Sequence, residues 1–225
     1  MSGGKLGRMA LVSEVVPVGP RILGCDTDTK LSRAAAGELA AANLAFVRRY
    51  LSLGAVASAL DLDAVEVDNI TSQNVAVMSV QHGRSSGWSE ATGRVDGENA
   101  ARHHLAASLP FDDSMGCDLE GLFSSKAQII DYAGAWFDRA IAVGCTWLDA
   151  YIGSGVLLSS LELRQDLGFH LYWRSASDVP DVAVRGYAMI QLSPLDKVSI
   201  GETLVDLDAV QTDHLGNRHR WARRA

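Results

Sequence analysis

The chain has 225 residues, 48% of them hydrophobic and 21% charged, with a formal net charge of −7. That length can bury a sizeable core, and the acidic balance argues against a nucleic-acid partner. Nowhere do 18 apolar residues run together, so no membrane insertion is expected, and the three cysteines, odd in number, imply no disulfide framework.

The apolar stretch after Lys5 and Arg8 is interrupted by Glu14 and Pro17, too short and broken for a secretory signal. The expectation is synthesis in the cytoplasm without a signal peptide, with residues 1–20 forming an extended arm. Residues 21–25 then read as a strand, 33–43 as an Ala-rich helix, 46–51 as a second strand and 63–72 as a short helix. A third strand is predicted at 75–80. A glycine-rich loop follows, then a helix over 97–108.

The fourth strand, 115–120, precedes a strong helix over 125–143, where Ile129, Ile130, Ala133, Trp136, Phe137 and Ile141 recur on one face. Strands at 146–152, 169–174, 186–192 and 203–210 complete the set, with a helix-like segment at 156–166. Strands alternating with helical patterns indicate a parallel sheet covered by helices. Eight of them predict a single α/β domain over 21–215, a closed (β/α)8 TIM-type barrel with shortened or missing late helices. An open doubly wound sheet is the alternative, but no glycine-rich phosphate loop follows any strand. Residues 216–225, with Arg218, Arg220, Arg223 and Arg224, read as a solvated basic tail.

Carboxylates carry the functional signal. Asp118 and Glu120 stand two apart in Met115-Gly-Cys-Asp-Leu-Glu-Gly121, so on a strand they share a face, Cβ atoms about 7 Å apart. The glycine after Glu120 ends the strand and puts the pair at its C-terminal end, where barrels build active sites. Gly24-Cys25-Asp26 ends the first strand in the same way, and Val205-Asp206-Leu207-Asp208 alternates acid with apolar on the last. Like charges converging in one mouth raise one another's pKa and suit glycoside hydrolysis or an oxygen-liganded metal. The competing reading pairs these acids with barrel arginines such as Arg48 or Arg49. Tyr50, Tyr151 and Trp173 fall near strand ends, where flat rings can support sugar C–H faces, and His82 closes the third strand within reach of the mouth.

In this order, Gly24-Cys25-Asp26, Phe46-Val-Arg-Arg-Tyr50, Asp118-Leu-Glu120, Leu171-Tyr-Trp173, Ile190-Gln191-Leu192 and Val205-Asp206-Leu207-Asp208 span most of the chain. The series resembles the family 25 glycoside hydrolases (Chalaropsis-type lysozymes) and the related glycoside-hydrolase-like barrels of unknown function. The resemblance implies a (β/α) barrel that cleaves peptidoglycan after N-acetylmuramic acid. On it Glu120 is the general acid, and Asp118 is its partner, as nucleophile or by orienting the substrate's N-acetyl group. Asp26 and Asp206 are supporting carboxylates, while Tyr50, Tyr151, Trp173 and Gln191 line the groove. Asp208, expected with His82 among the substrate-binding residues, stands where the lysozymes usually carry Asn.

A lysozyme-like barrel lacking an export signal fits a bacteriophage lysin, a tail-associated hydrolase or a delivered toxin, with virion or secretion-machinery proteins as partners. A catalytically silent glycan-binding or structural barrel is the alternative. No cofactor or metal is expected: His103 and His104 are adjacent on a predicted helix and face about 100° apart. The acidic run Asp61, Asp63, Glu66 and Asp68 lacks calcium-loop spacing and reads as a solvated helix start. Cys25 and Cys117 each precede an acid, so parity turns them towards the helix layer.

Overall fold

A computed structural model describes residues 10–121, 124–192 and 197–225. In chain order the elements are β1 (Leu11–Val15), β2 (Ile22–Thr27), α1 (Arg33–Ala41), β3 (Phe46–Leu51), α2 (Ala64–Thr71) and β4 (Ala76–Gln81). Next come α3 (Glu90–Ala106), β5 (Ser114–Leu119), α4 (Lys126–Val143), β6 (Trp147–Ile152), α5 (Ser160–Gln165) and β7 (Leu171–Arg174). The chain closes with β8 (Met189–Gln191), β9 (Val198–Ile200), β10 (Thr203–Val210) and β11 (Arg220–Arg224).

Seven strands, β2 to β8, run parallel in sequence order. The eighth, β10, closes the barrel by pairing antiparallel with both β8 and β2. The helices thin out along the chain. Long α3 and α4 cover β4 to β6, α5 has six residues, and an irregular segment joins β7 to β8. It still buries Val179, Val182 and Tyr187, so the outer sheet face stays covered without a helix.

The helices begin on side-chain caps. Ser89 with Thr92 and Ser125 with Gln128 form reciprocal capping boxes, and Asp63 accepts from Val65 N and Glu66 N. The sequence placed residues 90–96 in a glycine-rich loop, yet α3 already starts at Glu90. Gly93 and Gly97 lie against α4, where an added Cβ would overlap the carbonyl oxygens of Tyr132 and Trp136. Those glycines mark a close helix crossing rather than a loop.

Residues 1–9 of the expected arm lie outside the described residues; the rest of it and the tail are tied to the barrel. Their strands β1 and β11 pair antiparallel, and Ala222 on β11 bridges Val77 on β4, below the point where β4 and β5 begin to pair. Trp221 packs on Phe46 at 6.0 Å and His219 is fully buried near Ser114 and Asp149. The tail expected in solvent therefore closes the N-terminal end of the barrel, because Trp221 and Ala222 between its arginines are apolar enough to bury.

Two apolar layers result. Cys25, Val47, Leu51, Val77, Cys117 and Leu119 point outwards under the helices, as parity required of the cysteines. Phe46, Met78, Val80, Tyr151, Trp173, Met189 and Val210 fill the barrel interior. Gly24 is needed there, since any Cβ would strike the Phe46 ring. Between the interior side chains lies a fully buried ion pair, Arg48 Nη2 to Asp149 at 2.5 Å, with the guanidinium also 4.9 Å from the Trp173 ring.

Candidate active site at the barrel mouth

Asp26, Tyr50, Asp118, Tyr151 and Gln191 share the inward parity of their strands and reach the C-terminal rim. Because β10 runs the other way, its early residue meets that rim: Asp206 is opposite Asp26 and Asp208 opposite Gly24, one layer lower. The two acids of the last strand thus sit at different depths.

Asp26 is almost wholly buried and accepts from Tyr50 Oη at 3.3 Å and from Gln191 Nε2 at 3.1 Å. Burial, then the charge of Asp206, raises its pKa to about 7 despite these hydrogen bonds. Beneath it Asp208 has no solvent exposure, accepts from Trp173 Nε1 at 3.0 Å, and is pushed well up by burial and by Asp26. The Asp26–Asp208 pair therefore keeps a shared proton, as two buried carboxyls in contact must.

Asp118 accepts from Gly83 N at 3.2 Å, and its Oδ1 is buried without a partner. Burial, then Glu120 beside it, raises Asp118 to about 8. Glu120 follows directly on β5 and turns to the groove, taking Ser154 N at 3.3 Å and Ser154 Oγ at 3.2 Å on one carboxylate oxygen. Two glycines make this possible. Gly121 ends the strand at φ +64°, and a Cβ on Gly153 would occupy the space of the Glu120 side chain.

The mouth acids are not neutralised by the barrel arginines. Arg48 belongs to Asp149, and Arg49 is held by Glu66 at 2.6 Å. Lys197 approaches Asp28 at 3.4 Å and Asp206 at 3.9 Å, while burial raises the Asp206 pKa against that cation. Glu66 is fully buried and Asp61 nearly so, which corrects the reading of their run as a solvated helix start: the arginine and His82 need carboxylates there.

Three depressions line up across the mouth. One of about 230 Å³ is walled by Glu120, Tyr151, Gln191, Lys197 and Asp206. The next, about 420 Å³, is walled by His82, Gly83, Arg84, Asp118 and Glu120. The third, about 660 Å³, continues past His82 to Asp28, Lys30 and Asp61. Glu120 divides the first two and His82 the last two, so both stand at the centre of an open groove.

Tyr50 stacks on His82 at 4.6 Å, and His82 Nε2 binds Asp61 at 2.9 Å. Tyr151 donates to Gln191 Oε1 at 3.2 Å. Trp173 and Asp208, expected as groove-lining residues, are instead part of the floor: Trp173 is 1% exposed, under Tyr151 at 4.2 Å. Trp173 lies near the end of β7, level with Tyr151 on β6, but its ring turns into the barrel towards Arg48 and Asp208. Arg84, Ser154 and Lys197 escaped the sequence reading as site residues, and Asp61 was read only as part of a helix start. For Arg84 a signal existed, since it follows His82 in the loop leaving β4, and such loops face the mouth.

Among the described residues no group of three or more His, Cys, Asp and Glu side chains is arranged to hold a metal. His104 is buried between Ser79 Oγ and Pro110 O, while His103 meets Gly54 O at the surface. No helix among them is long and apolar enough to cross a membrane.

No family model matches the sequence, and no curated protein matches it. Solved structures do match. The Tat-secreted protein Rv2525c of Mycobacterium tuberculosis superposes with a TM-score of 0.64 at 15% identity, over 87% of this chain and 98% of that one. A family 25 glycosyl hydrolase from Bacillus anthracis gives 0.60 at 11% identity, over 87% and 92%. The modular autolysin LytC from Streptococcus pneumoniae, solved with a synthetic peptidoglycan ligand, gives 0.59 at 10%, over 86% of this chain and 47% of that one. The chain therefore has the barrel fold shared by Rv2525c-like proteins and family 25 glycosyl hydrolases.

Proposed function

We propose that the protein is a glycoside hydrolase of bacterial cell-wall polysaccharide, a muramidase-like enzyme acting on peptidoglycan. The observation that carries this is the meeting of Asp26, Asp118, Glu120 and Asp206 at one open rim, where Lys197 is the one cation ion-paired with any of them among the described residues. Neighbours of the same fold that act on cell walls support the substrate class.

Asp118 keeps a proton through neutral pH, because burial and then the neighbouring Glu120 hold it up to about 8. Glu120 is the member that faces the groove, so the proton held by Asp118 passes through it to the glycosidic oxygen as the C1–O bond breaks. Asp118, anchored on Gly83 N, positions it and takes up charge as the proton leaves. Positive charge then develops on the sugar ring, opposite Asp206 and the Asp26 carboxyl held by Tyr50 and Gln191, until water adds to C1 and its released proton restores the Asp118–Glu120 pair. Tyr151, largely buried, lines the groove wall and offers the sugar the edge of an apolar ring.

The test is release of reducing ends from purified walls, with turbidity followed in parallel. Wild type should lyse walls, and Glu120→Gln should lose about 10²–10⁴-fold in kcat while still sedimenting with them. Wild-type protein that sediments with walls but releases no sugar would show a binding barrel and end the enzymatic reading.

A further inference from the structure

The groove is acidic over its centre, yet a guanidinium lines its middle depression. Arg84 leaves β4 three residues past the strand end and lines the depression of about 420 Å³ beside Asp118 and Glu120. Its back edge is clamped on Asp96 of α3, Nε to Oδ2 at 2.5 Å and Nη2 to Oδ1 at 3.4 Å. Asp96 is 1% exposed and is itself fixed by Tyr132 Oη at 3.0 Å. Arg84 Nη1 donates to Ser86 O at 3.1 Å.

A guanidinium has five N–H groups, and these contacts use three. Two remain on a side chain that is partly exposed and held from behind by a buried carboxylate, so its orientation needs no further ordering on binding. A surface arginine that only tied down its loop would need no aim into a depression. Of the two acids that line the depression with Arg84, Asp118 keeps its proton up to about 8 and so adds no negative charge there near pH 7.

We propose that this depression is a subsite for an anionic substituent of the glycan, a carboxylate or phosphate, gripped by the free edge of Arg84. The subsite rests on the glycosidase reading for its substrate, and it makes Arg84 a specificity-determining residue for acidic over neutral wall glycans. Fork geometry suits two oxygens of one oxyanion, which a lysine cannot match.

The experiment compares three substrates: native wall glycan, the same glycan with carboxylates reduced to alcohols, and glycan stripped of phosphate polymers. Cleavage by wild type, Arg84→Gln and Arg84→Lys is measured on each. Catalytically blocked Glu120→Gln protein, with and without Arg84→Gln, is titrated against the same three for Kd. Arg84→Gln should lower kcat/KM on native glycan about tenfold, mostly through KM, with Arg84→Lys recovering part of the loss. On the substrate lacking the recognised anion that ratio should collapse towards one; which treatment collapses it identifies carboxylate or phosphate. The Kd values should follow the same pattern even if no cleavage occurs, which separates failure of the subsite from failure of the enzymatic reading. Equal losses on all three substrates would make Arg84 merely structural. Indifference of the Glu120→Gln Kd to both treatments would likewise overturn the subsite.

Discussion

Replacing Asp118 by asparagine removes a group whose proton affinity differs greatly between the folded and unfolded chain. The folded carboxyl sits at about 8 against an ordinary 3.8, mainly because it is buried and secondly because Glu120 is beside it. Below pH 4 both states are protonated, and the group costs nothing. As pH rises the unfolded chain releases the proton first, so stability falls by about 1.4 kcal/mol per pH unit until the folded group titrates near pH 8. From 4 to 7 that amounts to an upper figure of about 4 kcal/mol, and about 2 kcal/mol once water and neighbours relax around the charge.

Asparagine keeps the shape and the acceptor for Gly83 N–H but has no proton to retain. Asp118→Asn should therefore gain stability over wild type by about 2–4 kcal/mol more at pH 7.5 than at pH 4, while losing activity. Urea unfolding at both pH values, with unchanged m, measures the difference directly. A gap between variant and wild type that is the same at pH 4 and 7.5 would refute the burial argument, and with it the proton-holding pair.

Gly97→Ala sets two effects against each other: about 1 kcal/mol gained in helix preference, and about 1–3 kcal/mol lost by pressing a methyl onto the Trp136 carbonyl. The overlap is with backbone, so loss should win by about 1–2 kcal/mol, visible as a lower Tm. Asp149→Asn leaves the fully buried Arg48 guanidinium without its counter-charge and should cost about 3–5 kcal/mol in chemical denaturation. A cost below about 1 kcal/mol would mean that Arg48 finds another partner.

Local pattern sufficed for several features of the molecule. The alternation in Cys117-Asp118-Leu119-Glu120 fixes which side chains enter the barrel, because a strand turns successive residues to opposite faces. Gly121 fixes where the strand stops, and the Ser125 capping box with its apolar stripe fixes α4. From those alone the pairing of carboxylates at a rim could be read, as could the outward cysteines.

Other features rest on contacts between residues far apart in the chain, which no window of sequence contains. Alternation in Val205-Asp206-Leu207-Asp208 is the same whichever way the strand runs, so only the antiparallel closure by β10 puts Asp206 at the mouth and Asp208 beneath it. Arg48 chooses Asp149 across 101 positions, freeing the mouth acids from it. Gly93 and Gly97 read as loop until α4 lies against them, and the arm and tail become strands only by pairing with each other. Sequence set the parity and period of each element, since these follow from backbone geometry within a few residues. Strand direction, depth and ion-pair choice were decided by closure of the barrel, because burial energy depends on which distant side chains share the same dry interior.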